Sequence, residues 1–133
     1  MEDTYKIEII SPEKVIFSDA NVQEVTLPSY EGELGILKDH IPIISFLRPG
    51  IVKISKTTEN VESFFVLDGI TEFYSNNLTI LSSKVINIKN LTQETVKQLI
   101  TETEKVLNEE KLNDDNRYLA NHKIDVLRSI NLN

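Results

Sequence analysis

At 133 residues with 40% hydrophobic side chains, the chain is long enough to bury a core, and one domain with a small appendage is expected. Its formal net charge of −7 argues against a nucleic-acid partner, which would call for basic patches. The absence of cysteine excludes disulfides and thiolate metal sites.

The acidity is uneven: residues 1–86 carry seven Lys/Arg against thirteen Asp/Glu, and residues 87–133 carry seven against eight. The opening MEDTYKIEII is acidic and runs straight into a strand pattern, unlike a signal or transit peptide, so the chain is expected to stay where it is made. Its apolar runs, such as Ile41–Leu47, are too short to span a bilayer, and no direct membrane insertion is expected.

Tyr5, Ile7 and Ile9 alternate with Lys6 and Glu8, the period-2 signature of a half-buried strand. Strands are expected at Val15–Phe17 and Val22–Leu27, with Ser18-Asp19-Ala20-Asn21 between them. The stretch from Val25 to Gly50, VTLPSYEGELGILKDHIPIISFLRPG, gathers glycines, prolines, carboxylates and a histidine. Such a composition marks a loop whose path matters. Strands follow at Ile51–Lys56, Val61–Asp68, Ile70–Ser75 and Leu78–Ser83, with turns at Thr57 to Asn60, Asp68-Gly69 and Asn76-Asn77. Many short strands at this spacing predict a β-sandwich or flattened barrel over residues 1–87.

From Thr92 onward glycine and proline disappear, and the apolar period lengthens. Val96, Leu99, Ile100, Val106 and Leu107, with Thr103 between, share one helix face behind Thr92 as N-cap. Asn113 to Asn116 breaks that helix and offers side chains to cap a second, which carries the rows Leu119/Val126/Ile130 and Ala120/Ile124/Leu127. Residues 88–133 are thus expected to form an antiparallel αα-hairpin. Its narrow stripe needs something to dock on, and weakly held elements are those that move.

No catalytic constellation emerges. His40 has Glu31, Glu33 and Asp39 nearby in sequence, but the two glutamates lie seven or more residues away across an expected turn. There is no second histidine in this region, so contact is favoured over acid–base or metal chemistry. No serine sits in a G-x-S-x-G frame, and neither a Walker loop nor G-x-G-x-x-G occurs. The carboxylates of Glu31-Gly32-Glu33-Leu34-Gly35 would repel phosphate. His122, Lys123 and Arg128 read as a solvated helix face rather than an anion site. No cofactor, metal or catalytic residue is expected.

Two motifs do carry a resemblance. Val22 and Val25–Pro28, then Glu31–Leu37, His40, Pro42, Ile43, Leu47, Pro49 and Gly50, match V-x-x-V-T-L-P, E-G-E-L-G-I-L, H-x-P-I and L-x-P-G. Phe65–Phe73 and Asn77–Leu81 follow as a glycine-turn hairpin and a T-I-L-type strand. With the order of strands and then helical hairpin, the chain resembles the epsilon subunit of F-type ATP synthases over essentially its whole length.

That resemblance implies a non-catalytic rotor subunit at the cytoplasmic face of a bacterial inner membrane. Its sandwich would bind the gamma subunit and sit on the ring of c subunits, turning with the central stalk. Glu31, Glu33, Lys38 and His40 would face the c ring or gamma. The helices would fold down or extend toward the alpha/beta head and restrain ATP hydrolysis, with Arg117, Lys123 and Arg128 as regulatory contacts. Those cations are balanced by Asp114, Asp115 and Asp125.

Three departures from the family pattern stand at Ser29, Lys38-Asp39 and Asp68, where turn glycines or prolines are usual. Some members bind ATP through I-D-x-x-R-A at the first C-terminal helix. Here Ile124-Asp125-Val126-Leu127-Arg128-Ser129 lies in the second helix, and the equivalent place reads Val85 to Asn90, so ATP binding is unsupported. The competing readings are a free-standing protein-binding sandwich capped by its helices, and a small enzyme built on His40.

Overall fold

The computed structural model describes residues 3–57, 59–109 and 111–130; Thr58 of the expected turn at 57–60, Glu110 and the chain ends lie outside them. The strands are β1 (Tyr5–Ile10), β2 (Val15–Val22), β3 (Glu24–Ser29), β4 (Gly32–Leu37), β5 (Ile43–Leu47), β6 (Gly50–Ser55), β7 (Val61–Val66), β8 (Gly69–Tyr74), β9 (Asn77–Leu81) and β10 (Val85–Asn87). They join in the order β10-β7-β6-β3-β5-β8-β9-β1-β2, with β4 paired to β3. All pairings are antiparallel except β1 with β9.

The period-2 pattern decides what faces inward. Tyr5, Ile7 and Ile9 of β1 meet Val25 and Leu27 of β3, Phe73 of β8, and Leu78 and Ile80 of β9 in one core. The terminal strand β2 is drawn toward the other side of the sandwich by side chains. The Phe17 ring lies 5.3 Å from that of Phe64, and Lys56 Nζ reaches Asp19 at 2.8 Å and Glu62 at 3.5 Å. Gly50 opens β6 where an added Cβ would fall 2.5 Å from Pro28 Cβ, so only glycine lets β3 and β6 approach here.

Several expectations are corrected. Ser18 to Asn21 does not interrupt a strand: Ser18 and Asp19 pair with Glu8 and Ile7 of β1, and this ladder overrides their turn propensity. The Val25–Gly50 segment is mostly strand rather than loop, because β3 and β4 pair from Glu24↔Leu37 to Ser29↔Gly32. Gly32, which follows the Tyr30-Glu31 turn and opens β4, takes a φ of +124° that residues with a side chain rarely adopt. β7 stops at Val66 and does not pair with β8, so Asp68-Gly69 joins separate parts of the sheet instead of closing a hairpin. The β8–β9 turn is centred on Ser75 and Asn76, at φ 49° and 59°, one residue earlier than expected. Val85–Asn87 is a tenth strand followed by a short 3-10 turn at Ile88–Asn90, which sequence periodicity did not reveal.

The chain divides into two compact units, Met1–Ile88 and Lys89–Asn133. In the second, α1 (Gln93–Leu107) and α2 (Asp114–Ser129) pack on one another. Thr92 Oγ1 accepts from the Thr95 amide at 3.1 Å, and Asn113 Oδ1 accepts from the Asn116 amide at 2.7 Å. The buried residues are Val96, Leu99 and Thr103 on α1, and Ala120, Ile124 and Leu127 on α2. The expected α1 stripe ends early, since Val106 is 40% exposed. Thr103 sits in the buried row because its hydroxyl donates to Leu99 O at 2.7 Å.

Candidate functional site

An outward-facing position on a half-buried strand is normally polar. β5, β8 and β9 break that rule. Their inward residues, among them Leu47, Thr71, Phe73, Leu78 and Ile80, are buried as alternation requires. Outward, Phe46 pairs with Ile70, and Ile70 with Leu81, so three apolar side chains line up across three strands. They are 60%, 44% and 48% exposed, and Ile44 beside them is 66% exposed.

Two concavities flank this row. One, of about 710 Å³, runs between Ile10, Pro12, Tyr30, Phe46, Ile70 and Leu81. The other, of about 480 Å³, is bounded by Ser29, Tyr30, Glu31, Ile44 and Phe46. Tyr30 and Phe46 belong to both, so the surface is continuous. A contiguous apolar patch of this kind with polar residues at its margin is suited to another protein surface.

Of the residues that depart from the pattern, Ser29 and Asp68 line this face and Asp39 lies at the other end of β4, and all three have local bonds. Ser29 is buried, pairs its hydroxyl with Ser45 Oγ at 3.0 Å, and accepts from the Glu31 amide at 3.3 Å. It thereby holds the β3–β4 turn that carries Tyr30 and Glu31. Asp68 accepts from Ser83 N at 2.9 Å, Ser83 Oγ at 2.7 Å and Ser82 Oγ at 3.3 Å, fixing the wall of the larger concavity. Asp39 takes φ 65° and exchanges two hydrogen bonds with Asn76, from its amide at 2.7 Å and to its carboxylate at 2.9 Å.

The four contact residues expected from sequence divide into two groups. Glu31 sits in the β3–β4 turn at the margin of the apolar row, and Glu33 is exposed on β4. Lys38 and His40 follow the far end of β4, beside the β8–β9 turn. The six residues of β4, at about 3.3 Å each, separate Glu31 from Lys38 by on the order of 20 Å. Glu31 therefore cannot act with His40 as an acid–base pair, which requires hydrogen-bond reach. His40 instead touches Ile41 O through Nδ1 at 2.7 Å and rests at 90° to the Phe73 ring, centroid to centroid 6.0 Å. Exposed Leu37, Ile41 and Tyr74 give this end an apolar surface as well.

The three basic residues on α2 also separate. Arg117 Nη1 donates to Leu107 O at 3.2 Å, and Arg128 lies 3.9 Å from Glu104 of α1, so both act within the hairpin. Lys123 is half-buried on the same helix. Of the I-D-x-x-R look-alike, Ile124 is buried in the hairpin while Asp125 is exposed. Among the described residues no group of three His, Asp or Glu could hold a metal ion, and no helix is long and apolar enough to cross a membrane.

Sequence reasoning missed the row of Phe46, Ile70 and Leu81. One signal was available: Ile43-Ile44-Ser45-Phe46-Leu47 is apolar on both faces of a short strand. The rest of the row needs the β5–β8–β9 register, which no local pattern supplies.

Comparison with known proteins gives these features a context. Residues 4–88 match the family model of the ATP synthase Delta/Epsilon chain beta-sandwich domain. The chain is 48% identical over 132 residues to the ATP synthase epsilon chain of Pelagibacter ubique (strain HTCC1062), spanning 98% of this chain and 100% of that one. It is 31% identical to the epsilon chain of Parvibaculum lavamentivorans (strain DS-1 / DSM 13023 / NCIMB 13966), spanning 98% and 97%. Its fold matches a chain in the Euglena gracilis mitochondrial ATP synthase, OSCP/F1/c-ring in rotational state 1, with a TM-score of 0.74 and 14% identity over 96% of this chain and 79% of that one. It also matches one in the central stalk/c-ring of the Tetrahymena thermophila mitochondrial ATP synthase, with a TM-score of 0.70 and 16% identity over 96% of each. With more than half its length under the family model and a relative at 48% identity end to end, this chain belongs to the ATP synthase epsilon chain family.

Proposed function

We propose that this chain is a non-catalytic subunit of the central stalk of a proton-translocating ATP synthase. In this reading the β-sandwich binds the gamma subunit and rests against the ring of c subunits, passing rotation to the catalytic head. The observation that carries it is the outward apolar row of Phe46, Ile70 and Leu81, exposed on a sandwich whose core is already complete. Each of the three is already about half covered, so burying the remainder in a partner contributes on the order of 1 kcal/mol apiece, and the row serves as the apolar centre of a contact that Tyr30 and the polar residues at its margin extend. Glu31 and Glu33 supply polar complementarity at one end of the face, and Lys38 and His40 at the other.

The hairpin has the character of a movable element: three buried residues on each helix, one of them a threonine. We assign it a restraining role on ATP hydrolysis, exerted by extension toward the alpha/beta head. The complex would be held at the cytoplasmic face of a bacterial inner membrane, with this chain peripheral to it.

The test is reconstitution of the full chain with a stalk and c-ring complex stripped of its epsilon subunit. Stoichiometric return of the chain to the complex, with recovery of proton-coupled ATP synthesis, is expected. Failure to associate would leave a free-standing binding module instead. A chain ending at Ile88 separates the second role: it should assemble normally and raise ATP hydrolysis, whereas unchanged hydrolysis removes the restraint.

A further inference from the structure

The corner formed by Lys38, Asp39 and His40 is built more rigidly than a surface turn requires. Asp39 occupies φ 65°, and the opposing turn places Ser75 at 49° and Asn76 at 59°. Outside glycine such angles are uncommon and carry a steric cost. Here three of them meet around one side chain. Asn76 Oδ1 accepts from the Asp39 amide, Asn76 Nδ2 donates to the Asp39 carboxylate, and Asn76 O accepts from the Lys6 amide at 3.2 Å. The β4–β5 connection, the β8–β9 turn and β1 are thereby tied at a single residue.

The histidine that follows is restrained in its turn. Its amide donates to Leu37 O at 3.1 Å, and its ring stands edge-on to Phe73, which itself meets Tyr5 edge-on at 5.3 Å. The contact of Nδ1 with Ile41 O, at 2.7 Å, decides the chemistry. A carbonyl oxygen only accepts, so Nδ1 must carry the proton. In the neutral ring Nε2 is then a bare acceptor. It has no hydrogen-bond partner among the described residues and is not fully buried, so it is left for a donor from outside the chain.

We infer that this corner is a preformed contact in which His40 Nε2 accepts a hydrogen bond from a partner donor, an amide or a basic side chain, with Asn76 as the residue that positions it. The inference rests on the stalk reading above and names the chemistry of one contact within it. A preordered acceptor avoids the entropy of fixing a mobile side chain on association. Lys38 beside it directs the pairing toward a donor group held by an otherwise acidic or neutral surface.

Nitrogen-15 NMR of the isolated full chain provides the first test. The Nδ1-protonated tautomer is expected for His40, and the Nε2-protonated form would overturn the inference. The second test measures affinity of full-length variants for the stripped stalk and c-ring complex. Glutamine places an acceptor near Nε2, whereas asparagine mimics only the Nδ1 side. His40→Gln should therefore bind nearly as wild type, and His40→Asn and His40→Ala roughly five- to tenfold more weakly. Equal binding by all three, or rescue by asparagine and not by glutamine, overturns the inference.

Asn76→Gly keeps the positive φ accessible while deleting the side chain. It should speed hydrogen exchange at the Asp39 amide and weaken binding to a similar degree, with melting within a few degrees of wild type. Faster exchange with undiminished affinity would remove Asn76 from the positioning role. If wild type itself fails to bind, the stalk assignment fails and this inference with it, although the tautomer measurement still stands on its own.

Discussion

The sandwich and the hairpin distribute their apolar residues in opposite ways. In the sandwich, fifteen buried side chains from most of its strands form one core, and further large apolar residues remain outside it on β5, β8 and β9. In the hairpin, six residues are buried across two helices of 15 and 16 residues, and one of the six is Thr103. The first region has apolar surface to offer a partner; the second has barely enough to hold itself. The difference separates a docking platform from an element suited to move, and it predicts that the two regions respond unequally to similar insults.

The largest separation should come from the hairpin's own core. Leu127 is fully buried, and Leu127→Ala is expected to cost about 2–5 kcal/mol. Loss of helical circular dichroism at a temperature that leaves the sandwich folded would fit, whereas a single transition shared with the strands would break the comparison. The sandwich has its own sensitive point at Gly50, where a methyl group would press on Pro28. Gly50→Ala should lower the sandwich transition by about 1–3 kcal/mol, read by urea unfolding of the strands, and leave the helical signal unmoved.

Smaller effects arise from pH. The Tyr5 hydroxyl is pushed well above its ordinary value of 10.0, chiefly by burial, and donates to Ile36 O at 2.6 Å. A raised folded-state value means its contribution is whole below about pH 10 and is lost as the pH climbs beyond. Alkaline melting should therefore destabilise the sandwich, and Tyr5→Phe should flatten that dependence at a cost of about 1 kcal/mol at neutral pH. Asp19 moves the other way: its hydrogen bond to Lys56 holds the carboxyl below its ordinary 3.8. Its contribution is present above that value and fades as the pH falls through it. The pair is partly exposed, so Asp19→Asn should remove less than about 1 kcal/mol at neutral pH.

Much of this architecture was legible in the chain. Tyr5, Ile7 and Ile9 alternate cleanly because one face of β1 is core, and Thr92 and Asn113 are N-caps because their side chains can satisfy free helix amides. β4 was hidden because Gly32-Glu33-Leu34-Gly35 has little strand propensity of its own and depends on pairing with β3. The site was legible only in part. The motif residues Glu31, Glu33, Lys38 and His40 stand out locally, but Asp39 meets Asn76 across 37 positions of chain. The row of Phe46, Ile70 and Leu81 likewise exists only in the register of three strands. Local pattern reports which face of an element is apolar; it does not report which separate elements combine into one surface.

In the reading proposed above, the outward apolar row of Phe46, Ile70 and Leu81 holds this chain in its complex. Its most direct test is the double substitution Phe46→Glu and Ile70→Glu, assayed by co-purification with the stalk and c-ring complex. Both residues are exposed, so the substituted chain should keep its circular dichroism and melting temperature yet no longer co-purify. A folded double variant that still co-purifies in normal yield would show that the row does not hold the chain in place.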